Sequence, residues 1–191
     1  MELSIYLTIC VFLHKQQIPM NRIDTNFFLQ DAVTLAEKLL GKTLVRVRED
    51  NTTTRYIITE TEAYLGEEDE ACHASKGKTA RTEIMYAEGG HVYVYLIYGM
   101  YWMLNIVSGK EGFPEAVLIR GLQEINGPGR VGKALQLDKS FNGENLNLSQ
   151  RIWIEPAPDI TGFNRSPRIG IDYAGDHWRD KPWRFFITKI G

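Results

Sequence analysis

The sequence has few cysteines and few histidines, and both shortages exclude classes of protein. Its 191 residues contain two cysteines, Cys10 and Cys72. Two are too few for a disulfide scaffold and are typical of a reducing compartment. The four histidines are scattered, and no C-x-x-C or H-x-x-x-H spacing occurs. We therefore expect neither a bound metal nor a cofactor, and we expect a cytoplasmic location.

Long apolar runs are also absent. The run from Leu3 to Leu13 has about half of the ~20 residues that a membrane-spanning helix needs. It has no basic region before it and no A-x-A cleavage site after it, so it makes a poor signal peptide. The sequence after Met20 is typical of a domain start. We predict an extension outside the core over residues 1–19 and a single domain over residues 20–191.

The chain has no strong excess of one charge. Its net charge is -2, which does not by itself indicate a nucleic-acid-binding protein. Basic clusters nevertheless occur at residues 76–81 and at Arg130 with Lys133. Such clusters can contact a phosphate backbone without a large net charge, although ordinary solvated surface is the alternative interpretation.

The sequence pattern indicates more strands than helices, and the strands follow one another directly. This order favours a mainly antiparallel α+β domain. Helices are predicted from the Asp31 cap to Leu40, over the acidic residues 66–73 and over residues 130–137. Strands are predicted over residues 43–48, 55–62, 91–98, 101–107 and 116–122, with shorter strands near residues 151–154 and 183–188.

Glu60 and Glu62 end an apolar strand and are predicted to lie on one face of it, because side chains alternate along a strand. Two neighbouring carboxylates repel each other unless a cation compensates them. Arg120, in an otherwise apolar strand, is the expected partner, and it would keep one carboxylate ionised as a base. The alternative is a structural ion pair at a sheet edge.

The hairpin of residues 91–107 has a tip with the large side chains Tyr98, Met100 and Tyr101, where small polar residues are usual. Gly99 at the first of two central positions predicts a type II′ turn. A rigid arm with a bulky tip can act as a wedge that enters a base stack. Alternatively, the tip folds back on the core or contacts a protein partner.

Three flat side chains, Tyr64, His73 and Tyr95, are candidates for holding an extruded base, because stacking between aromatic faces holds such a base. Taken singly, each is more often part of a core or surface.

Residues 127–134 match G-x-x-x-x-G-K but end in Ala134, where a phosphate loop needs serine or threonine for Mg²⁺. A nucleotide-binding protein is therefore the weaker alternative. We interpret the segment as a helix N-terminus that, with Arg130 and Lys133, contacts a phosphate of a nucleic-acid backbone.

Five segments together resemble the alkyladenine (3-methyladenine) DNA glycosylase family of the methylpurine-DNA glycosylase type. They are residues 60–73, 93–101 followed by Asn105, 117–120, 127–129, and 167–170 continuing through 181–185. The likeness spans about residues 25–188. It implies a curved antiparallel sheet with flanking helices and a protruding hairpin. It also implies a monomeric, monofunctional enzyme that flips alkylated or deaminated purines from duplex DNA and hydrolyses their glycosidic bond.

The resemblance also implies a role for individual residues. Glu62 faces the flipped base as the general base that activates water, and Arg120 helps to hold that water. Tyr64, His73 and Tyr95 line the base pocket, and Asn105 lies at its floor, where it excludes the 2-amino group of normal guanine. Tyr98 fills the gap that the flipped base leaves in the DNA duplex, and Met100 lies beside it. Thr79 and Arg81 lie in a loop that approaches a DNA phosphate.

Hairpin geometry conflicts with one of these roles. A strict two-residue turn at residues 99–100 places Asn105 opposite Val94, on the other face from Tyr95. We therefore predict a longer connection or a bulge that restores both side chains to one face. A non-catalytic nucleic-acid-binding module that uses the same wedge is the rival function. In a bacterium, the enzyme would associate with the nucleoid.

Overall fold

The computed structural model describes residues 21–188, so the predicted extension of residues 1–19 lies outside the described residues. The helices are α1 (Ala32–Leu39), α2 (Pro128–Ala134) and α3 (Asp176–Arg179). The strands are β1 (Thr43–Val47), β2 (Thr53–Leu65), β3 (Val92–Ile97), β4 (Tyr101–Val107), β5 (Glu115–Leu122), β6 (Ile125–Asn126), β7 (Ile152–Glu155), β8 (Asn164–Ser166) and β9 (Arg184–Phe186).

All nine of these strands belong to one antiparallel sheet, which confirms the predicted α+β class. The order is β3-β4-β5-β2-β1-β7, and β6, β9 and β8 branch from β5, β2 and β9 respectively. The central strand β2 pairs with β1 through residues 53–57 and with β5 mainly through residues 60–65. Its register with β5 shifts between Ile58 and Thr61. Such bulges bend a strand, and they contribute to the curvature of the sheet.

One face of the sheet is covered by α1 and α2. Helix α1 begins as predicted, because the Asp31 side chain accepts a hydrogen bond from Thr34 N at 2.9 Å. It buries Leu35, Ala36 and Leu39 against the sheet. Thr61, on the covered face of β2, donates to the Ala36 carbonyl at 2.8 Å. The opposite face of β2 is therefore left for the site.

Helix α2 explains the phosphate-loop-like pattern without a nucleotide. It spans Pro128–Ala134 rather than the predicted residues 130–137. A Cβ atom on Gly132 would lie 1.9 Å from the Trp102 carbonyl oxygen, so only glycine lets the helix approach β4 this closely. The strand before this helix, β6, has only two residues. Every strand pair in the sheet formed by residues 21–188 is antiparallel, so the parallel βα units typical of a nucleotide-binding fold do not occur there.

The helix predicted over residues 66–73 is wrong. This segment forms turns, and a short 3-10 helix begins only at His73. The buried Asp69 carboxylate accepts hydrogen bonds from Leu65 N at 3.2 Å and Ala71 N at 3.1 Å. Local side-chain bonds of this kind compete with helical hydrogen bonds, so the chain turns around Asp69 instead. Within residues 21–188, no helix has the length and apolarity to span a membrane.

Candidate active site

The connection between β3 and β4 determines which side chains face the site. Ile97 pairs with Tyr101, so the loop contains three residues, 98–100, rather than two. Tyr98 has φ 52° and Gly99 has φ 66°. Positive φ at both central positions is the requirement of a type I′ turn, so the type II′ prediction is wrong.

The three-residue loop confirms the predicted change of parity. Tyr93 lies opposite Asn105, and Tyr95 lies opposite Met103. All four side chains therefore project from the same face of the hairpin. Asn105 is buried and donates a hydrogen bond from Nδ2 to the Tyr93 carbonyl at 3.1 Å. This bond fixes the orientation of the amide.

These four side chains line a cavity of about 390 Å³ on the uncovered face of the sheet. Its walls are mostly aromatic and aliphatic, with few polar groups. Its lining residues are Tyr64, Ala71, His73, Arg81, Met85, Tyr93, Tyr95, Ile97, Tyr98, Met103, Asn105, Ala116, Leu118, Arg120, Pro128, Ile169, Gly170, Ile171 and Tyr173. The sequence-predicted pocket residues Tyr64, His73, Tyr95 and Asn105 are thus brought together.

Glu62 lies directly beneath this cavity rather than on its surface. Its side chain is fully buried. The three groups that contact its carboxylate all belong to lining residues. Tyr64 donates its hydroxyl to Oε2 at 2.9 Å, Ile169 N donates to Oε1 at 2.8 Å, and an Arg120 Nη1 lies 3.4 Å from Oε1. The carboxylate is therefore one layer below the space in which a ligand would sit.

Arg120 joins the two carboxylates of β2, which confirms that Glu60 and Glu62 share a face. Its Nε donates to Glu60 Oε1 at 3.0 Å, while its Nη1 is directed to Glu62. Arg184 on β9 donates to the same Glu60 oxygen at 2.5 Å. Glu60 thus holds Arg120 in place from behind. A purely structural edge pair does not account for Glu62, which lies on an interior strand under a cavity.

Burial raises the pKa of the Glu62 carboxyl above its ordinary value of 4.5, and the nearby Glu60 adds to this effect. Arg120, the Ile169 N–H and the Tyr64 hydroxyl oppose it, because each stabilises the ionised form. A carboxyl with a raised pKa inside a concave site is a candidate proton acceptor.

His73 is held as a neutral imidazole at the cavity wall. Burial, together with the smaller effect of the Arg81 charge, lowers its pKa to about 4. Its Nδ1 is 2.8 Å from the Tyr93 hydroxyl oxygen. Its ring packs edge-on against the Tyr95 ring, with the two ring centroids 4.4 Å apart. The Arg81 guanidinium carbon lies 5.4 Å from the centroid of the Tyr95 ring, and its Nη2 lies 3.4 Å from His73 Nε2. Arg81 is therefore placed at the cavity as well as in the basic loop.

The hairpin tip projects into solvent instead of folding back. Tyr98 is 86% exposed and Met100 is 65% exposed, and Tyr98 also lines the cavity. On one side of the tip, Lys133 and Met100 line a common surface groove, and Arg130 is exposed on the same helix. The Thr79 backbone N–H donates to the Thr82 hydroxyl at 2.9 Å, which stabilises the basic loop.

Sequence reasoning gave no site role to several of the lining residues, among them Ile169 and Tyr173. Both are exposed, by 50% and 70%, at the rim of the cavity. They lie in a loop with no regular secondary structure, about 100 residues from Glu62 in the chain. The sequence carried two signals for this loop: Ile169 lies in the segment 167–170 that bears the family resemblance, and Ile169 and Ile171 flank Gly170. Among residues 21–188, no group of three or more His, Cys, Asp or Glu is placed to hold a metal ion.

The cavity has aromatic walls, lies above a buried carboxylate–arginine pair and has an exposed apolar hairpin at its rim. This arrangement is the one expected of an enzyme that acts on a flat base of a nucleic acid. The comparisons with known proteins agree. The profile of the methylpurine-DNA glycosylase (MPG) family matches residues 26–125 and 123–190. The chain belongs to the methylpurine-DNA glycosylase family and is a DNA glycosylase of alkylated-purine repair.

Individual relatives cover almost the whole chain. A protein of Methanocella arvoryzae is 41% identical over 181 residues, which are 84% of this chain and 90% of the relative. Proteins of Natranaerobius thermophilus and Legionella pneumophila (strain Lens) are 41% and 43% identical, over 87% and 88% of this chain and 95% of each relative. All three bear the name "Putative 3-methyladenine DNA glycosylase".

Proposed function

We propose that this chain is a monofunctional DNA N-glycosidase that flips alkylated or deaminated purines out of duplex DNA and hydrolyses their glycosidic bond. It would leave an abasic site in base excision repair. The observation that carries the proposal is the position of Glu62, which lies beneath an aromatic cavity and is bonded to three of the residues that line it. We further propose that it acts as a monomer in the cytoplasm.

The reaction needs little acid chemistry when the purine is alkylated at N3 or N7, because such a base is already cationic and leaves easily. The C1′–N bond breaks and its electron pair stays with the departing base. A water oxygen then bonds to C1′, and the water proton passes to Glu62. The ionised carboxylate also stabilises the positive charge that develops on the sugar.

The contacts of Glu62 define what must change for water to react. In this structure its Oε2 accepts the Tyr64 hydroxyl, and its Oε1 accepts the Ile169 N–H. Water reaches the carboxylate when it replaces the Tyr64 hydroxyl at Oε2. Arg120 then remains near Oε1 and keeps the carboxylate ionised.

The cavity suits a flat cation. Tyr64, Tyr93 and Tyr95 present electron-rich rings, and such rings attract cations by about 0.5–2 kcal/mol each. The described residues that line the cavity include neither lysine nor cysteine, which favours attack by water over attack by a protein nucleophile.

The proposal is tested by incubating the full chain with duplexes that each contain one of 3-methyladenine, 7-methylguanine, hypoxanthine or etheno-adenine. Release of free base together with alkali-labile sites is expected for at least one alkylated purine. Tight binding to lesion duplexes without release from any of them would instead support the non-catalytic module.

The rate of base release should depend on the ionisation of Glu62. Because burial raises the pKa of this carboxyl above 4.5, the single-turnover rate on 7-methylguanine should rise with pH and be half-maximal above pH 4.5. His73 should not contribute to this rise near neutral pH, because its pKa is lowered to about 4. Rates are measured from acidic to neutral pH, with circular dichroism to confirm folding. A rate that falls as pH rises through this range would contradict the role of Glu62.

A further inference from the structure

A second buried ion pair lies behind the cavity, between Asp69 and Arg168. Both side chains are fully buried, and the pair is bidentate, with N–O distances of 2.5 and 2.9 Å. The remaining bonds go to the backbone: Arg168 donates to the Ala63 and Trp178 carbonyls, and Asp69 accepts from the Leu65 and Ala71 N–H groups. The pair therefore links β2, the turn after it and the loop before α3.

This pair touches the site at two points. The Arg168 guanidinium lies over the Tyr64 ring, 4.8 Å from its centroid. Tyr64 lines the cavity and Arg168 does not. A base stacked on Tyr64 would therefore be separated from the guanidinium only by the thickness of the Tyr64 ring. The next residue, Ile169, donates its N–H to Glu62 Oε1. The same arginine thus sets the position of a cavity wall and of a bond to the carboxylate.

We propose that Asp69 and Arg168 are positioning residues that set the preference of the site for cationic over neutral bases. This inference rests on the proposed glycosylase function. An arginine alone behind Tyr64 would repel a methylated, cationic purine. Asp69 cancels that charge while both residues keep Tyr64 and Ile169 in place. The pair thereby provides a rigid wall with no net charge.

The size of the effect follows from Coulomb's law. At roughly 8 Å and an effective dielectric constant of about 20, an uncompensated unit charge changes the ratio of cationic to neutral base release on the order of ten- to thirtyfold. A loss of rigidity alone would slow both substrates and leave their ratio unchanged. The ratio therefore separates the electrostatic role from a structural one.

The test compares single-turnover release of 7-methylguanine, which is cationic, with that of hypoxanthine, which is neutral. The variant Asp69→Asn leaves Arg168 unpaired, and the ratio should fall by about tenfold or more. The variant Arg168→Gln leaves Asp69 unpaired, and the ratio should rise. The double variant Asp69→Asn/Arg168→Gln has a neutral pair, so its ratio should return to the wild-type value even if both rates are lower.

Glu155→Gln is the matched control, because Glu155 also forms a bidentate pair, with Arg55, but does not line the cavity. Its ratio should equal that of the wild type. Folding of each variant is checked by circular dichroism, and if Asp69→Asn does not fold, the rise in Arg168→Gln decides the question. An unchanged ratio in the folded single variants would overturn the inference. Absence of release by the wild-type protein would instead overturn the proposed function.

Discussion

Replacement of Glu62 by glutamine is expected to reduce the single-turnover rate of base release by about 10²–10⁴-fold, the usual contribution of a general base. Glutamine has nearly the same shape, and its single amide oxygen can still accept the hydrogen bond from the Ile169 N–H, while its NH₂ group can donate to the Tyr64 hydroxyl oxygen. It cannot take a proton from water or balance positive charge on the sugar. Binding to a lesion duplex should therefore persist, because the cavity walls and the hairpin are unchanged.

The measurement pairs a single-turnover assay with a gel-shift titration on the same lesion duplex. Glu60→Gln is the matched control, since Glu60 lies on the same face of β2 and contacts the same arginine. Its effect should be smaller, because Glu60 acts on the site only through Arg120. If Glu62→Gln released base at the wild-type rate, the mechanism proposed for this chain would be wrong.

The second large effect is expected from Tyr98→Ala at the hairpin tip. Extrusion of a paired base costs a few kcal/mol, and an exposed aromatic wedge offsets part of that cost by filling the gap in the stack. Removing the ring should slow release from a fully paired lesion on the order of 10²-fold. Release from the same lesion in a single strand should change much less, because there the base need not be extruded from a duplex.

The comparison of paired and single-stranded substrates isolates this role of Tyr98. Phe113→Ala is the control, because Phe113 is also an exposed aromatic side chain but lies outside the cavity. That variant should behave as the wild type on both substrates. If Tyr98→Ala lowered the rate of base release equally on paired and single-stranded lesions, Tyr98 would act as a cavity wall and not as a wedge.

Most of the regular structure could be predicted because its signals are local. The Asp31 cap and the apolar positions of α1, the alternation along β2 and the apolar run of β5 each depend on neighbouring residues. The same alternation placed Glu60 and Glu62 on one face, with Arg120 as their partner. The helix predicted over residues 66–73 failed, because the acidic pattern gave no sign that Asp69 would be buried against an arginine 99 residues away.

Contacts between distant segments could not be derived from local pattern. Asn105 reaches the cavity only because the hairpin loop has three residues, which reverses the parity of β4 relative to a two-residue turn. Ile169 reaches Glu62 from a separate loop. The burial of Glu62 beneath the cavity surface is likewise a property of packing. The groups that contact its carboxylate are the Tyr64 hydroxyl, the Arg120 guanidinium and the Ile169 N–H, which come from β2, β5 and a separate loop.

The amino-acid sequence by itself therefore determined the class of fold, the pair of carboxylates with their arginine, and the bulky hairpin tip, since each follows from periodicity or from residue type at a turn. Tertiary structure alone decided that these groups surround one cavity, that Asp69 and Arg168 stand behind its wall, and that the pKa of Glu62 is raised. The physical reason is that desolvation and charge pairing depend on which distant segments pack together, and no local spacing specifies that.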